Sequence, residues 1–409
     1  MISCRRFLAP TVTVALLVLL APLLLVGSGP SAQTAKTVKV GVLVGLTGSC
    51  APLSESNVNA IKLGAEQINA AGGLLGSRIE LVVRDDKTQP DEGVVQMRRL
   101  LLEDNVPFVL GSCSSAVNIA ISQLSRQFKR VQISSIANTH RATEEFGHKY
   151  YFQVVPNTRM ETRAVAIAAA KQPWKRWVTV GLDYEWGHTG VEAFMQKMKE
   201  LRPDVEIVKQ YWPKLGETDY NSFVTAIIAD KPDAVMAVVF GPNLINFTRQ
   251  ARGLGLYERV KSVVSLYSVD VLKPLAAETP VGQLGWARAP FFALSGPAFD
   301  TFFKQYRGKY NDIPDDWAIM GYDAIMLLRA GVQKANSLDP DKVADALSGL
   351  TVESLRGPIT VRKADHMASV PVFVGTTAAS SGYPFRVLRD VIRVPGDQVW
   401  LAESELKKR

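Results

Sequence analysis

Residues 36–86 read KTVKVGVLVGLTGSCAPLSESNVNAIKLGAEQINAAGGLLGSRIELVVRDD, and this stretch decides the fold. Valine recurs at every second position from Val38 to Val44, which is the pattern of a β-strand. A loop of small residues, Leu46–Pro52, and a helical pattern follow, and a second strand begins at Ile79. A strand that ends in such a loop before a helix leaves free backbone N–H groups, which suit an anionic ligand. The stretch therefore predicts the first strand–helix–strand unit of a parallel α/β sheet.

The first 35 residues have the features of a secretion signal. Arg5 and Arg6 precede an almost uninterrupted apolar run, Phe7–Val26, and small residues dominate the segment that follows. We therefore expect cleavage within Ser28–Ala35 and export to the periplasm, with an uncleaved membrane anchor as the alternative. No later run of the sequence is apolar enough to span a bilayer.

The charge of the chain is moderate and dispersed. The formal net charge of +8 falls to +6 when Arg5 and Arg6 of the leader are set aside. Apart from the short tail at 407–409, the basic residues are scattered and form no stripe with interleaved aromatics. Nucleic-acid binding is therefore not indicated.

Two cysteines follow the leader, Cys50 and Cys113, and each lies in a loop just after a predicted strand. An oxidising compartment favours disulfides. The two residues therefore either form a disulfide or remain separate thiols.

Strand and helix patterns alternate from residue 79 to residue 253, with Val131–Ser134 as one example of a predicted strand. Such alternation is typical of parallel sheets with helices on both faces. One sheet with that many strands would be unusually wide. We therefore predict an α/β protein with two doubly wound lobes and a boundary near Pro156.

Beyond Gly282 the pattern changes to three helices without strands between them. Their predicted bounds are Pro297–Lys309, Trp317–Lys334 and Pro340–Leu350. We expect these helices to return and cover the first sheet, which makes the lobes discontinuous in sequence.

No constellation of residues supports catalysis. The four histidines, His140, His148, His188 and His366, lack metal-ligand spacing to one another or to a cysteine. The sequence contains no Gly-x-Ser-x-Gly elbow and no phosphate-binding glycine-rich loop that ends in Lys-Ser/Thr. We therefore predict no catalytic residues, no metal and no cofactor. A periplasmic hydrolase that uses Cys113 or a serine is the alternative from the enzyme class.

Polar residues follow two neighbouring strands at their carboxyl ends, where ligands bind in open α/β sheets. The first cluster, Gly111–Ser115, opens a helix, and the second, Ser134–Thr139, follows the next strand. Serine hydroxyls and helix N-terminal amides suit a carboxylate, whereas simple N-capping also explains the first cluster taken alone. Two clusters at adjacent strand ends favour a ligand site that includes Ser114 and Ser115.

Aromatic residues occupy equivalent positions in the second predicted lobe. Tyr184 and Trp186 follow one strand, and Phe240 follows another. Each aromatic by itself is more typical of packing than of recognition. Opposite the serine clusters across a cleft, they would form an apolar lid over a ligand with a hydrophobic body.

Five short motifs follow one another along the chain. They are Gly41-x6-Gly48; Gly64-Ala65-x-x-Ile68-Asn69-Ala70-x-Gly72-Gly73-x-x-Gly76; Asp85-Asp86-x-x-x-Pro90; Arg249-Gln250-Ala251-x-x-x-Gly255; and Gly321-Tyr322-Asp323-Ala324. In this order and spacing the chain resembles the periplasmic solute-binding proteins of ABC transporters, specifically the leucine/isoleucine/valine-binding type. The resemblance covers nearly the whole chain after the leader.

The resemblance implies a type I periplasmic binding protein fold, in which two lobes joined by three chain crossings close over a ligand. It assigns residues 36–156 and 288–369 to the N-terminal lobe, and residues 157–287 and 370–409 to the C-terminal lobe. It also implies a small-molecule ligand and an inner-membrane ABC permease as partners. We expect a monomer.

The resemblance also assigns the carboxylate end of the ligand site. Ser115 matches the hydroxyl that holds the ligand carboxylate, and Ile136 matches a backbone contact. Asn138, or Thr139 given a one-residue ambiguity, matches the threonine that follows.

The side-chain end of the ligand is assigned to two other segments. Leu53 falls where the family's first loop touches the ligand side chain, and Trp186 matches an aromatic of the second lobe. The loop at 46–52, which by its backbone alone suits an anion, is thus expected to face the apolar body of the ligand.

Two departures from the family concern the amino group of an amino-acid ligand. The family's amino-acid binders have a tyrosine where this chain has Phe240, and a glutamate near Ser265–Tyr267, where this chain has no acid. We include Tyr267 among the predicted contacts because it lies in that segment. Burying an ammonium group without an acidic partner is costly. Three acids are candidates to replace the glutamate: Asp183, Glu185 and Asp270.

We therefore predict a periplasmic solute-binding component of an ABC transporter. Its ligand is a branched-chain or hydrophobic amino acid, or a related hydrophobic or aromatic carboxylate, and the two departures favour the carboxylate. A periplasmic sensor of an amide- or urea-type molecule, which reports occupancy to a receptor, is the alternative among binding proteins.

Overall fold

The computed structural model describes Ala9, residues 36–265 and residues 267–406. The predicted leader, other than Ala9, and the basic tail at 407–409 therefore lie outside the described residues. Within the described ranges, no helix is both long and apolar enough to cross a bilayer.

The first part of the chain builds a five-stranded parallel sheet. Its elements are β1 (Thr37–Val44), α1 (Ala51–Ala70), β2 (Arg78–Asp85), α2 (Pro90–Leu102), β3 (Phe108–Gly111), α3 (Ser115–Phe128), β4 (Val131–Ser134), α4 (Arg141–Glu144) and β5 (Tyr151–Gln153). The strand order is β2-β1-β3-β4-β5, and every neighbouring pair is parallel. Strands β3, β4 and β5 are buried along their whole length, as expected where helices cover both faces of a parallel sheet.

The chain then builds the parallel part of a second sheet. Its elements are α5 (Thr158–Ala169), β6 (Arg176–Gly181), α6 (Glu185–Leu201), β7 (Glu206–Tyr211), α7 (Asn221–Asp230), β8 (Ala234–Val238), α8 (Gly241–Gly253), β9 (Lys261–Val264), α9 (Val269–Leu275) and β10 (Leu284–Ala287). The five strands pair in parallel in the order β7-β6-β8-β9-β10.

The last part of the chain contributes to both sheets. Its elements are α10 (Pro297–Tyr310), α11 (Asp316–Ala335), α12 (Pro340–Leu347), β11 (Thr351–Ser354), β12 (Gly357–Thr360), β13 (Val372–Ala378) and β14 (Val387–Val394). As predicted, the late helices return to the first sheet, where α11 packs on α1 and α12 contacts β4. The chain thus passes between the sheets after β5, after β10 and after β12.

The second sheet is mixed rather than wholly parallel. β13 pairs antiparallel with β10 on one side and with β14 on the other, which gives seven strands in all. Antiparallel pairing arises here because β13 and β14 are joined by a short connection and form a hairpin, which needs no crossover helix.

Two glycines of the quoted motifs allow α1 and α11 to approach closely. A Cβ atom on Gly64 would lie 2.5 Å from a methyl carbon of Ile325, and one on Gly321 would lie 2.6 Å from the carbonyl oxygen of Asn57. Any larger side chain at either position would push the two helices apart.

The aspartate of the last motif connects α11 to a chain crossing. Asp323 accepts a hydrogen bond from Arg356 Nε at 2.9 Å, and both side chains are fully buried. Arg356 Nη2 also donates to the carbonyl oxygen of Val154, which follows β5. This ion pair therefore fixes α11 relative to the first passage between the sheets.

Candidate functional site

A cavity lies where carboxyl ends of strands from both sheets meet. Ten residues line it: Leu53, Cys113, Ser115, Ile136, Asn138, Tyr184, Trp186, Phe240, Arg288 and Trp317. Eight of these follow β3, β4, β6, β8 or β10, and the other two lie in the first turns of α1 and α11. This is the position where open α/β sheets bind ligands.

Six residues predicted as ligand contacts lie on this cavity. They are Leu53, Ser115, Ile136, Asn138, Trp186 and Phe240. Ser115 is the first residue of α3, where backbone N–H groups have no partner within the helix. One wall therefore combines a hydroxyl group with a helix N-terminus.

Three other predicted contacts lie elsewhere. The Ser114 hydroxyl accepts a hydrogen bond from the Val117 N–H as the N-cap of α3. The Thr139 hydroxyl donates to Glu185 Oε1 at 2.8 Å. Tyr267 is fully buried in the core of the second sheet, where its hydroxyl bonds to Gln283.

Packing explains the position of Tyr267. A Cβ atom on Gly285 of β10 would lie 2.5 Å from the Tyr267 ring, so this ring covers the glycine instead of facing the cavity. An aromatic that follows a strand fits a core position as well as a binding position, and the sequence pattern does not separate the two.

The structure joins Cys50 to Cys113 in a disulfide, with a Cα–Cα distance of 6.2 Å. The bond links the short segment before α1 to the segment after β3, and Cys113 lines the cavity. A sulfur atom held in a disulfide is not a free nucleophile, which weighs against a hydrolase based on Cys113.

Arg288 is the charged group of the cavity that sequence reasoning missed. Its Nε donates to Glu161 Oε1 at 2.5 Å, and its Nη1 donates to the Ile136 carbonyl oxygen at 2.7 Å. Both partners of the ion pair are buried, with side chains 3 % and 1 % exposed. Burial raises the pKa of Glu161, which the charge of Arg288 and hydrogen bonds oppose.

Trp317 is the second lining residue that sequence reasoning missed as a contact. The Arg288 guanidinium lies 5.1 Å from the centre of its ring, within the range of a cation–π interaction. The indole Nε1 donates to Asp270 Oδ1 at 2.8 Å. Both contacts hold the indole as a fixed wall of the cavity.

Aromatic side chains form the wall contributed by the second sheet. The rings of Trp186 and Phe240 meet edge to face at 5.4 Å, and Tyr184 lies about 6.5 Å from Trp186. Trp186 Nε1 is buried and has no hydrogen-bond partner among the described residues. Phe240 has no hydroxyl, so this wall is largely apolar.

None of the three acids considered as ammonium acceptors lines the cavity. Asp183 bonds to His188 Nε2 at 2.7 Å and is more than half exposed. Glu185 bonds to Thr139 and Arg141. Asp270 lies behind Trp317.

Glu185 connects segments that follow the two sheets. Thr139 and Arg141 follow β4 of the first sheet, whereas Glu185 begins α6, after β6 of the second sheet. Arg141 Nη1 donates to Glu185 Oε2 at 2.8 Å, next to the bond from Thr139. We call this group the Glu185 clasp.

Comparison with known proteins places the chain in a family. The sequence profile of the periplasmic binding protein family matches residues 37–382. The chain belongs to the periplasmic binding protein family. This confirms the family predicted from the motifs, whose members are solute-binding proteins and not enzymes.

This periplasmic binding protein is similar to known proteins both in sequence and in fold. The leucine-, isoleucine-, valine-, threonine- and alanine-binding protein of Pseudomonas aeruginosa is 24 % identical over 342 residues, covering 83 % of this chain and 89 % of that protein. The amino acid ABC transporter substrate-binding protein of Pseudomonas fluorescens Pf-5 has a TM-score of 0.81 at 20 % identity, covering 91 % of this chain and 98 % of the other.

A third comparison is with a solute-binding protein of an ABC transporter from Rhodopseudomonas palustris BisB5, solved in complex with 3,4-dihydroxybenzoic acid. Its TM-score is 0.78 at 23 % identity, covering 88 % of this chain and 98 % of the other. The solved structures confirm the predicted fold class of two α/β lobes.

Proposed function

We propose that this protein is the periplasmic solute-binding component of an ABC transporter, and that it carries a small hydrophobic or aromatic carboxylate to an inner-membrane permease. The observation that carries the proposal is the charge of the cavity. Arg288 is its one charged lining residue, and no acid lines it among the described residues.

The polar groups of the cavity suit a carboxylate. Arg288 contributes a guanidinium group, and Ser115 contributes a hydroxyl at the N-terminus of α3. Charge-assisted hydrogen bonds from such donors are roughly twice as strong as neutral ones. The helix N-terminus adds further stabilisation of a negative charge.

The same groups disfavour the ammonium group of an amino acid. The resemblance assigns a backbone contact with the ligand to Ile136, and in this structure the Ile136 carbonyl oxygen accepts a hydrogen bond from Arg288 Nη1. A second cation beside this guanidinium would be repelled, and Glu161 is already engaged by Arg288 and Asn138. A buried ammonium would thus lack an acidic partner.

The remaining walls suit a compact apolar body. Leu53, Trp186, Phe240 and Trp317 supply the apolar part of the cavity lining, and apolar and aromatic side chains are the usual lining of small-molecule sites. A ligand with one aromatic ring or a short branched chain presents an apolar surface that packs against such walls. The relative solved with 3,4-dihydroxybenzoic acid and the branched-chain amino-acid binder of Pseudomonas aeruginosa support these two ligand classes.

A thermal-shift screen tests the proposal. The probes are benzoate, 3,4-dihydroxybenzoate, leucine, benzamide and urea, each at high concentration. A ligand at a hundred times its Kd adds about 2.7 kcal/mol to the stability, which is a visible shift. We expect shifts with the aromatic acids and none with benzamide, because the amide lacks the negative charge. A shift with leucine and none with either aromatic acid would overturn the proposal.

Replacing Ser115 with alanine is expected to weaken binding of 3,4-dihydroxybenzoate by about tenfold to a hundredfold, since a hydrogen bond to a charged group contributes roughly 1.5–3 kcal/mol. Isothermal titration measures the Kd, and urea unfolding shows that the variant is folded. Ser122→Ala is the matched control, because Ser122 lies on the same helix and bonds to the Ile119 carbonyl, away from the cavity. Equal affinity of Ser115→Ala and the wild type would reduce Ser115 to a structural residue.

Replacing Glu185 with alanine is expected to raise the dissociation rate of 3,4-dihydroxybenzoate by about three- to tenfold, because the variant loses the two hydrogen bonds that join segments of the two sheets beside the cavity, one of them partly exposed. Stopped-flow displacement measures this rate. Glu145→Ala is the control, since Glu145, the residue directly after α4, bonds to the same Arg141. If both variants released the ligand equally fast, the Glu185 clasp would have no specific role.

A further inference from the structure

A second pocket adjoins the ligand cavity. The two are neighbours because Trp317, which lines the cavity, donates its indole N–H to Asp270, which lines the second pocket. Among the charged residues that line the second pocket, four are acidic and one is basic: Glu55, Asp270, Asp312 and Asp315 against Lys273. We call it the acidic pocket.

Asp315 is buried in this pocket with one oxygen unsatisfied. The residue is 6 % exposed, and Oδ1 accepts hydrogen bonds from Ser56 Oγ at 2.7 Å and from the Ala318 N–H at 2.8 Å. Oδ2 has no partner among the described residues. Burial and repulsion from Asp270 hold the pKa of Asp315 well above its usual range.

Asp270 is incompletely satisfied in the same way. Its Oδ1 accepts hydrogen bonds from Trp317 Nε1 and from the Ser268 hydroxyl, whereas Oδ2 is buried without a partner among the described residues. Burial raises the pKa of this group too. Lys273 does not supply the missing cation, because it is paired with Asp312 at 2.8 Å.

The two acids come from different parts of the fold. Asp315 caps α11, which packs on the first sheet, and Asp270 lies in α9, which follows β9 of the second sheet. The fold therefore brings two carboxylates, one from the segments of each sheet, into one pocket. Uncompensated buried charge is costly, so a cation that bridges the pair would stabilise the closed form.

The walls of the pocket indicate what kind of cation fits. Among the described residues, no group of three or more His, Cys, Asp or Glu side chains is arranged to hold a metal ion. Apolar and aromatic residues complete the lining, including Pro242, Ile245, Val269, Tyr306 and Tyr310. Alkyl chains pack against such a surface, and aromatic faces attract ammonium groups.

We propose that the acidic pocket binds a small organic amine, whose primary ammonium group lies between Asp270 and Asp315 and whose alkyl chain packs on the apolar wall. This site is separate from the cavity proposed for the carboxylate. Its occupant would stabilise the closed cleft from a second position.

Butylammonium chloride is the probe, and choline chloride at the same ionic strength is its control, since the quaternary nitrogen of choline has no N–H to donate to the two carboxylates. We expect butylammonium to raise the unfolding temperature of the wild type by several degrees relative to choline. Asp270→Asn and Asp315→Asn should each weaken butylammonium binding by about tenfold to a hundredfold. Glu80→Gln changes the net charge equally at an exposed position of β2 and should bind as the wild type does.

The asparagine variants are expected to fold, because the amide oxygen still accepts the bonds made by Trp317 or Ser56. In amine-free buffer they should unfold at a higher temperature than the wild type, since the repulsion between the acids is gone. The proposal is overturned if butylammonium and choline act alike on the wild type, as they would if the two acids share only a proton. It is also overturned if the variants keep the wild-type response, or if benzoate displaces the amine by competition.

Discussion

Replacing Arg288 with methionine is expected to lower the free energy of unfolding by about 3–5 kcal/mol, the usual cost of removing one partner of a buried ion pair. The loss arises because Glu161 is 1 % exposed and would lose its cation, so that the folded state must either bury an unpaired carboxylate or take up a proton. Binding of 3,4-dihydroxybenzoate should weaken by at least about a hundredfold, because the cavity would lose its only lining cation among the described residues. Urea unfolding and isothermal titration measure the two effects.

The double variant Glu161→Gln/Arg288→Met separates stability from binding. It leaves no unpaired charge, and the glutamine side chain still accepts the hydrogen bond that Asn138 Nδ2 donates to Glu161. We expect it to recover most of the lost stability while the carboxylate affinity stays low. Recovery of affinity together with stability would show that Arg288 is a structural residue and does not recognise the ligand.

The pH dependence of Arg288→Met gives an independent check. Burial already raises the pKa of Glu161 above 4.5, and loss of the guanidinium raises it further. At pH values between the pKa of Glu161 in the unfolded state and its pKa in the folded state, the folded protein holds a proton on Glu161 that the unfolded protein has released. The free energy of unfolding therefore falls as the pH rises through this range. The deficit of Arg288→Met should therefore be largest at neutral pH and shrink towards pH 4.5. A deficit that does not change with pH would contradict the charge argument.

Elements whose determinants are local were predicted well. Val131–Ser134 was predicted at its observed bounds, and the late helix predicted at Trp317–Lys334 differs from α11 by one residue at each end. Hydrophobic periodicity fixes such elements over a single window of sequence. The serine that opens α3 was found for the same reason, since strand ends and helix starts are visible locally.

Elements that depend on distant partners were missed. β9 has only four residues. In β14, both charged and apolar residues are exposed, so the sequence lacks the alternation that would predict a strand. Such strands are defined by the neighbours that pair with them and not by their own pattern. The short strand β5, which follows the second polar cluster, was not predicted for the same reason.

Arg288 shows why the charged part of the site could not be read from the sequence. It is one of 47 basic residues, and it stands directly after a short strand with no motif around it. Its partners, Ile136 and Glu161, lie 152 and 127 positions away in the chain. Only the return of the chain between the two sheets brings these groups together. The one available signal was the position at the carboxyl end of β10, where ligand groups collect in open sheets.

Removing the disulfide by Cys50→Ala/Cys113→Ala is expected to lower the free energy of unfolding by about 4 kcal/mol. The two cysteines are 63 positions apart, and a cross-link over a loop of that length restricts the unfolded chain by roughly this amount. The bond also anchors the start of α1, which carries Leu53, to the segment that carries Ser115. We therefore expect weaker binding of 3,4-dihydroxybenzoate as well. Alanine fits the buried space of each cysteine, so this effect comes from loss of the bond and not from a clash.

Urea unfolding with and without dithiothreitol provides the measurement and its control. Reduction of the wild type in urea should shift its unfolding midpoint towards that of the alanine variant. The variant itself should not respond to dithiothreitol, because residues 36–409 contain no other cysteine. Thiol titration shows when the wild type is fully reduced, and an unfolding midpoint that is still unchanged at that stage would contradict the prediction. It would mean that packing around the strand ends, and not the covalent bond, holds the first loop against the cavity.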